Sequence, residues 1–266
     1  MKLKKIISAL AIIIIPTSYC YANESSISTC VVGNPKSSQS YNAVKWYRDS
    51  AEKTALYKQT YNIGLEKVSA KVKKDKLKKN KWGVILDIDE TVLDNSLYEK
   101  DHVDNCSNYN PKTMYPFMEQ KISVATPGAA KFTCSVQKMG GKVVLVTNRD
   151  GTFDDKIQQA TIDNLKSEGI CFDNVVFANG DKDNNKTPRF EAVAAGKYES
   201  IVAYKHNVSG FKVIAYFGDN IQDFPNSKQA DIDKLSPDDK YFEKLGQEYF
   251  SLPNPTYGSW EKNEFK

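Results

Sequence analysis

Residues Trp82 to Ser96 read WGVILDIDETVLDNS. The run Gly83-Val84-Ile85-Leu86 is too short for a helix and too apolar for a surface loop, which predicts a buried central strand. At its carboxyl end the chain turns acidic, with Asp87, Asp89, Glu90 and Asp94. In an open α/β sheet ligands bind beyond the carboxyl ends of the strands, so this strand aims its acids at the crevice. Asp87 and Asp89 are two residues apart and share a side while the chain stays extended. Two carboxylates that close repel each other, and a bound cation holds both ionised. A calcium-binding helix–loop–helix also opens D-x-D, but it needs Gly at its sixth and Glu at its twelfth position. Those places hold Val92 and Tyr98. The remaining alternative, an acidic surface turn, has to be weighed against the rest of the chain.

The chain has 266 residues, enough for one large domain or two small ones. Residues 1–22 read as a secretory signal: Lys2, Lys4 and Lys5 form the basic end, Ile6 to Ile15 the apolar part, and Cys20-Tyr21-Ala22 a small-x-small exit. The apolar part is too short to span a bilayer. Cleavage is expected after Ala22, giving a periplasmic or secreted protein. Lipid attachment at Cys20 is disfavoured by Tyr19, Ser18 and Thr17 before it. The signal carries three lysines and no acid, so its removal lowers the net charge from +4 to +1. Near neutrality gives no case for nucleic-acid or membrane-surface binding. Cys30, Cys106, Cys134 and Cys171 remain. In an exported chain they permit two disulfides in any of three pairings, against the alternative of free buried thiols. No C-x-x-C spacing exists, which argues against zinc or a redox dithiol.

Residues 23–38 read as a loose leader, and 39–266 as a single domain. Tyr41 to about Leu77 has helical periodicity without Pro, as one or two helices. Trp46, Tyr47, Tyr57 and Tyr61 form a packing stripe, and the lysines from Lys67 to Lys81 a solvated helix face rather than a nucleic-acid patch. A polar insert, Tyr98 to Thr126, is a candidate cap, so that cap elements come from 41–80 and 97–126. A short helix, Ala129 to Lys138, follows. A second strand, Val143 to Val146, ends at Thr147-Asn148-Arg149. A helix runs from Phe153 to Ser167, with Gly169 as its stop. A third strand is Asn174 to Ala178, and the loop after it carries Lys182 and Lys186. Phe190 to Tyr198 reads as helix. A fourth strand, Lys212 to Phe217, ends in Gly218-Asp219-Asn220-Ile221-Gln222-Asp223. Strands alternating with helices predict an α/β, doubly wound parallel sheet with a small, mainly helical cap.

All four strand ends then lie on one edge. That edge collects Asp87, Asp89, Asp219, Asp223, Thr147 and Lys186. Acids alone suggest a metal; acids with a lysine and a hydroxyl suggest a metal-bound anion, with phosphate the natural candidate. On that reading Asp87 attacks phosphorus and Asp89 exchanges the proton with the leaving group and then with water. A histidine phosphatase is excluded. It needs R-H-G and a second His, and this chain has only His102 and His206, neither beside an Arg. Both read as ordinary surface or cap residues.

These motifs resemble the haloacid-dehalogenase-like phosphohydrolases, and within them the secreted bacterial class C acid phosphatases, a family that includes lipoproteins acting on 5′-nucleotides. WYRDSAEKTALYKQTYN (Trp46–Asn62), LDIDETVLDNS, TPGAAKF (Thr126–Phe132), VTNR (Val146–Arg149), KTPRF (Lys186–Phe190), GDNIQDF (Gly218–Phe224) and LPNPTYGSWE (Leu252–Glu261) carry the likeness over nearly the whole mature chain. The resemblance implies Asp87 as nucleophile and Asp89 as general acid and base. It implies one Mg²⁺ held by the Asp87 carboxylate, the Asp89 carbonyl and Asp219, with Asp223 nearby. Thr147, Asn148 and Lys186 carry over as phosphate contacts, with Lys182 the alternative lysine. Tyr257 carries over as one side of an aromatic sandwich for the nucleotide base. This chain has Met114 and Phe117 near where the family tends to have Trp, and Gln222 where an acid is common. The resemblance also implies a homodimer. The competing readings are a catalytically silent binding or storage protein on the same scaffold, and a phosphotransferase.

Overall fold

The computed structural model describes residues 35–265, with side chains from residue 40. The signal segment 1–22 and the leader as far as residue 34 lie outside the described residues. From Pro35 onward the leader is helical, not loose. Helices α1 (Pro35–Asp49) and α2 (Ala51–Lys74) precede strand β1 (Trp82–Leu86). Strands β2 (Leu93–Asp94) and β3 (Val124–Ala125) pair antiparallel and bracket α3 (Ser96–Asp104) and α4 (Pro111–Glu119). Then follow α5 (Ala129–Lys138), β4 (Lys142–Asp150), α6 (Ile157–Ser167), β5 (Asn174–Ala178), α7 (Thr187–Ala195), β6 (Val202–Ala203), β7 (Lys212–Gly218) and β8 (Tyr249–Ser251).

The sheet order is β6-β5-β4-β1-β7-β8, with β1 at the centre, parallel to both neighbours. Among the described residues of this sheet, β6 alone runs antiparallel. The apolar run of β1 serves both faces. Val84 and Leu86 pack with Tyr61, Phe132 and Phe217 on one side. Ile85 packs with Phe190, Val193 and Tyr198 on the other. This is why the strand is continuously hydrophobic rather than alternating.

The helical N-terminal region is two helices, split at Ser50, whose Oγ accepts from Lys53 N at 3.1 Å and caps α2. Tyr47, Tyr57 and Tyr61 are buried, as the packing stripe requires. Tyr57 and Tyr61 make α2 a layer of the core rather than part of a cap, because its apolar side is buried against the sheet. Residues of α3 and α4, in the insert 97–126, line the crevice. α6 starts at Ile157, later than Phe153, because the Asp154 carboxylate accepts from Lys156 N and Ile157 N, both at 2.9 Å. Phe153 instead stacks on Tyr115, ring centroids 3.9 Å apart. α7 is shifted toward the N-terminus, with Pro188 in its first turn and Gly196 at φ +69° ending it. The strands β6 and β8 have no strong signal of their own, being two and three residues long. Cys134 and Cys171 form a disulfide. Cys106 is also disulfide-bonded, and Cys30 lies outside the described residues.

Candidate active site

β1 and β7 are neighbours whose onward connections leave in opposite directions, toward β4 and toward β8. A crevice opens where such connections diverge. Leu86 pairs with Phe217, and Asp87 N donates to Phe217 O at 2.9 Å, so Asp87 sits beside the Gly218-Asp219 turn. A cavity of about 710 Å³ fills the crevice, lined by Asp87, Asp89, Asn148, Lys186, Asp219, Asp223 and Tyr257.

Of the four acids expected at the strand ends, three meet. Carboxylate oxygens of Asp87, Asp219 and Asp223 lie within 4.8 Å of one another. Lys186, set at the start of α7, ion-pairs with Asp87 and lies 2.7 Å from Asp223 Oδ1. The second Asp223 oxygen accepts from Asn220 N at 2.9 Å. Asp219 accepts from Thr91 Oγ1 at 3.1 Å and from Asn254 Nδ2 at 2.9 Å. Lys182 is exposed on its loop and Lys186 is buried, so Lys186 is the lysine brought to the acids.

Two buried carboxylates, Asp87 and Asp223, share one ammonium beside the half-buried Asp219, and the electrostatics follow. Burial pushes the Asp87 carboxyl well above its usual range; Lys186 opposes this, while Asp223 and Asp219 add to it. Burial, then Asp223, raise Asp219 to about 7. For Lys186 burial favours the neutral amine, but Asp223 and Asp87 outweigh it and hold the ammonium above its ordinary value. The excess negative charge and the all-oxygen donor set suit a hard divalent cation. The residues present therefore fit a metal held by Asp87 and Asp219, with Asp223 steadying Lys186.

Asp89 has a different environment. Arg149 Nε donates to its two oxygens at 3.0 and 3.2 Å, and Nη2 to Oδ1 at 2.7 Å. Asn95 Nδ2 donates to Oδ1 at 2.6 Å. Burial disfavours its charge, but Arg149 and these hydrogen bonds outweigh burial and hold the carboxyl below the ordinary range. Thr147 is fully buried and does not line the cavity. Its hydroxyl donates to Asp89 Oδ2 at 3.3 Å and accepts from Arg149 N at 3.0 Å. Asn148 lines the crevice, and its Oδ1 accepts from Arg189 Nη2 at 2.6 Å. The Tyr257 ring lines the crevice, while its hydroxyl donates to the Glu90 carboxylate. Met114 lines the cavity; Phe117 is buried against Tyr98 instead. Gln222 also lines it. His206 is exposed, but His102 is buried against Tyr98, ring centroids 4.1 Å apart, and is a wall of the cap.

Sequence reasoning passed over Arg149, Asn95, Glu90 and Asn254. Arg149 had a signal: it stands two residues beyond Thr147, on the same side of an extended β4. Asn254 had none, because it reaches Asp219 only through the placement of β8.

A family model for the haloacid-dehalogenase-like (HAD) superfamily, subfamily IIIB (acid phosphatase), matches residues 18–260. The chain is similar to the class C acid phosphatase of Bacillus anthracis. The structure of that enzyme is 28% identical, covers 85% of this chain and 88% of its own, and superposes with a TM-score of 0.71. A tungstate-bound structure of the same enzyme gives 28% identity, the same coverage and a TM-score of 0.69. Acid phosphatase 1 of Solanum lycopersicum is 25% identical over 173 residues, which is 65% of this chain and 57% of that relative. The match over most of its length, on a fold whose sheet edge gathers the expected acids, places this chain in the acid phosphatase subfamily IIIB of the HAD superfamily.

Proposed function

We propose that this protein is a Mg²⁺-dependent phosphomonoesterase acting on small phosphate monoesters, 5′-nucleotides among them, through an aspartyl phosphate on Asp87. The observation that carries this is the meeting of Asp87, Asp219 and Asp223 with Lys186 at the sheet's switch point, in a chain of the acid phosphatase subfamily.

An Asp87 oxygen attacks phosphorus while the bond from phosphorus to the ester oxygen breaks, and the leaving oxygen takes a proton from Asp89. Water then attacks phosphorus and gives its proton to Asp89; the Asp87–phosphorus bond breaks, and inorganic phosphate leaves. Arg149 favours ionised Asp89, the form that serves the second, hydrolytic half. Lys186 adds positive charge at the transferring group, and Asn148 is placed on the crevice wall to donate to it. A bound Mg²⁺ at Asp87, the Asp89 carbonyl and Asp219 would offset the repulsion between a carboxylate and a phosphate dianion. The tungstate bound to the Bacillus anthracis relative supports an oxyanion as a ligand of this protein. The tyrosines Tyr109, Tyr115 and Tyr257 on its wall support a planar leaving group. The signal-like segment 1–22 and the Cys134–Cys171 disulfide support export to an oxidising compartment, the periplasm or outside. A homodimer rests on the family likeness alone.

The test is a phosphatase assay with p-nitrophenyl phosphate and a nucleoside 5′-monophosphate, with EDTA and after Mg²⁺ is restored. We expect activity to vanish with EDTA and return with Mg²⁺. Full activity in EDTA would overturn the reading, and no turnover under any condition would favour a silent binding protein.

A further inference from the structure

The mechanism leaves Glu90, an acid beside the proton-transferring Asp89, unused. Glu90 is fully buried and, among the described residues, forms no ion pair. Its backbone is left-handed, φ +51°, a conformation that side chains other than Gly take at a cost. An unpaired buried carboxyl in a strained turn calls for a reason.

Its contacts supply one. Glu90 Oε1 accepts from Asn95 N at 2.7 Å. Its Oε2 accepts from the Tyr257 hydroxyl, across 167 residues of chain. The Asn95 amide in turn donates to Asp89 Oδ1 at 2.6 Å and reaches Glu90 Oε2 at 3.5 Å. Its own oxygen accepts from Ser123 Oγ at 2.6 Å, which fixes the amide's orientation. The turn's backbone is pinned too: the Tyr57 hydroxyl donates to Glu90 O, and the Tyr61 hydroxyl to Thr91 O at 2.8 Å. Tyr257 belongs to the segment after β8 that also supplies Asn254 to Asp219 and walls the crevice.

We infer that Glu90 is a positioning residue, which ties the Tyr257 hydroxyl to Asn95 and through it sets the aim of the Asp89 carboxylate. The inference rests on the reading of Asp89 as proton donor. It gives Tyr257 a task that belongs to its hydroxyl rather than its ring.

Leaving-group dependence tests it. p-Nitrophenolate leaves without help, whereas an alkyl oxygen needs its proton delivered in the transition state. The parameter kcat/KM reports the step in which the leaving group departs. Tyr257→Phe keeps the ring and loses the hydroxyl. It is expected to lower kcat/KM for glycerol 2-phosphate by about tenfold, within the range a positioned acid contributes. For p-nitrophenyl phosphate the change is expected to stay under about threefold. Asp89→Asn should show the same asymmetry, larger. Glu90→Ala should match Tyr257→Phe, and Glu90→Gln, which can hold both neighbours by hydrogen bonds, should restore most of the loss. An equal loss on both substrates would make Glu90 a structural staple and overturn the proposal. So would a Tyr257→Phe variant equal to wild type, or Glu90→Gln no better than Glu90→Ala. Circular dichroism and a thermal melt confirm folding for each variant. A wild-type protein inactive on both esters would sink the phosphatase reading itself, a result distinct from all of these.

Discussion

Lys186 and Arg149 divide the two aspartates of β1's end between them. Asp87 takes the ammonium and Asp89 the guanidinium, so two carboxyls in near-identical sequence surroundings acquire opposite tendencies. Asp87→Asn removes the nucleophile without changing volume. Turnover is expected to fall by roughly 10⁴-fold or more, as for other catalytic units, with an unchanged circular dichroism spectrum. A rate near wild type would end its role. Asn254 orients Asp219, so Asn254→Ala should weaken apparent Mg²⁺ affinity by about 10–100-fold, as loss of a ligand's supporting hydrogen bond does. Titrating rate against Mg²⁺ at saturating substrate measures this, and an unchanged midpoint would refute it. Which acids matter was readable because each closes a strand. Which partner each acid takes was not, because Lys186 stands 99 residues from Asp87 and Arg149 60 residues from Asp89.

Among the elements, β1 carries the most constraint. Gly83 lies where a Cβ would come within 2.5 Å of both Lys142 O and the Phe211 ring. A glycine inside a strand marks such a close approach. Gly83→Ala should cost about 1–3 kcal/mol, the usual price of overpacking a core, read as a lower urea midpoint with an unchanged slope. No change in midpoint would mean that both the Phe211 ring and the Lys142 carbonyl give way freely. α2 shows how an element's period can be legible while its place is not. Its helical spacing identifies the helix, but only the packing of Tyr61 on Phe132 and Phe217 makes it a core layer. Its Lys53 also pairs with Asp94 at 2.7 Å, so the helix braces the loop that follows the nucleophile. α3 and α4 were legible only as a polar insert, since their buried residues form a small separate cluster with Ile157 of α6 and line the crevice rather than joining the main core.

Over the whole molecule, the Cys134–Cys171 bridge joins α5 to the segment entering β5. Cys134→Ser with Cys171→Ser should destabilise the fold by about 2–4 kcal/mol, the typical worth of such a cross-link. Denaturant unfolding measures that loss, and kcat for p-nitrophenyl phosphate should be unchanged. A large loss of kcat in the folded variant would show that the bridge shapes the crevice. The alternation of short apolar runs with helical periods determined the sheet, its parallel sense and the acidic edge, because a strand buried on both faces must be apolar along its length and its polar residues can only stand at its ends. The folded chain alone settled the pairing of Asp89 with Arg149, the reach of Asn254 and Tyr257 from beyond β8, and the packing of α2 on the sheet. Those depend on contacts between segments far apart in the chain, and no local pattern of hydrophobicity or charge records such distances.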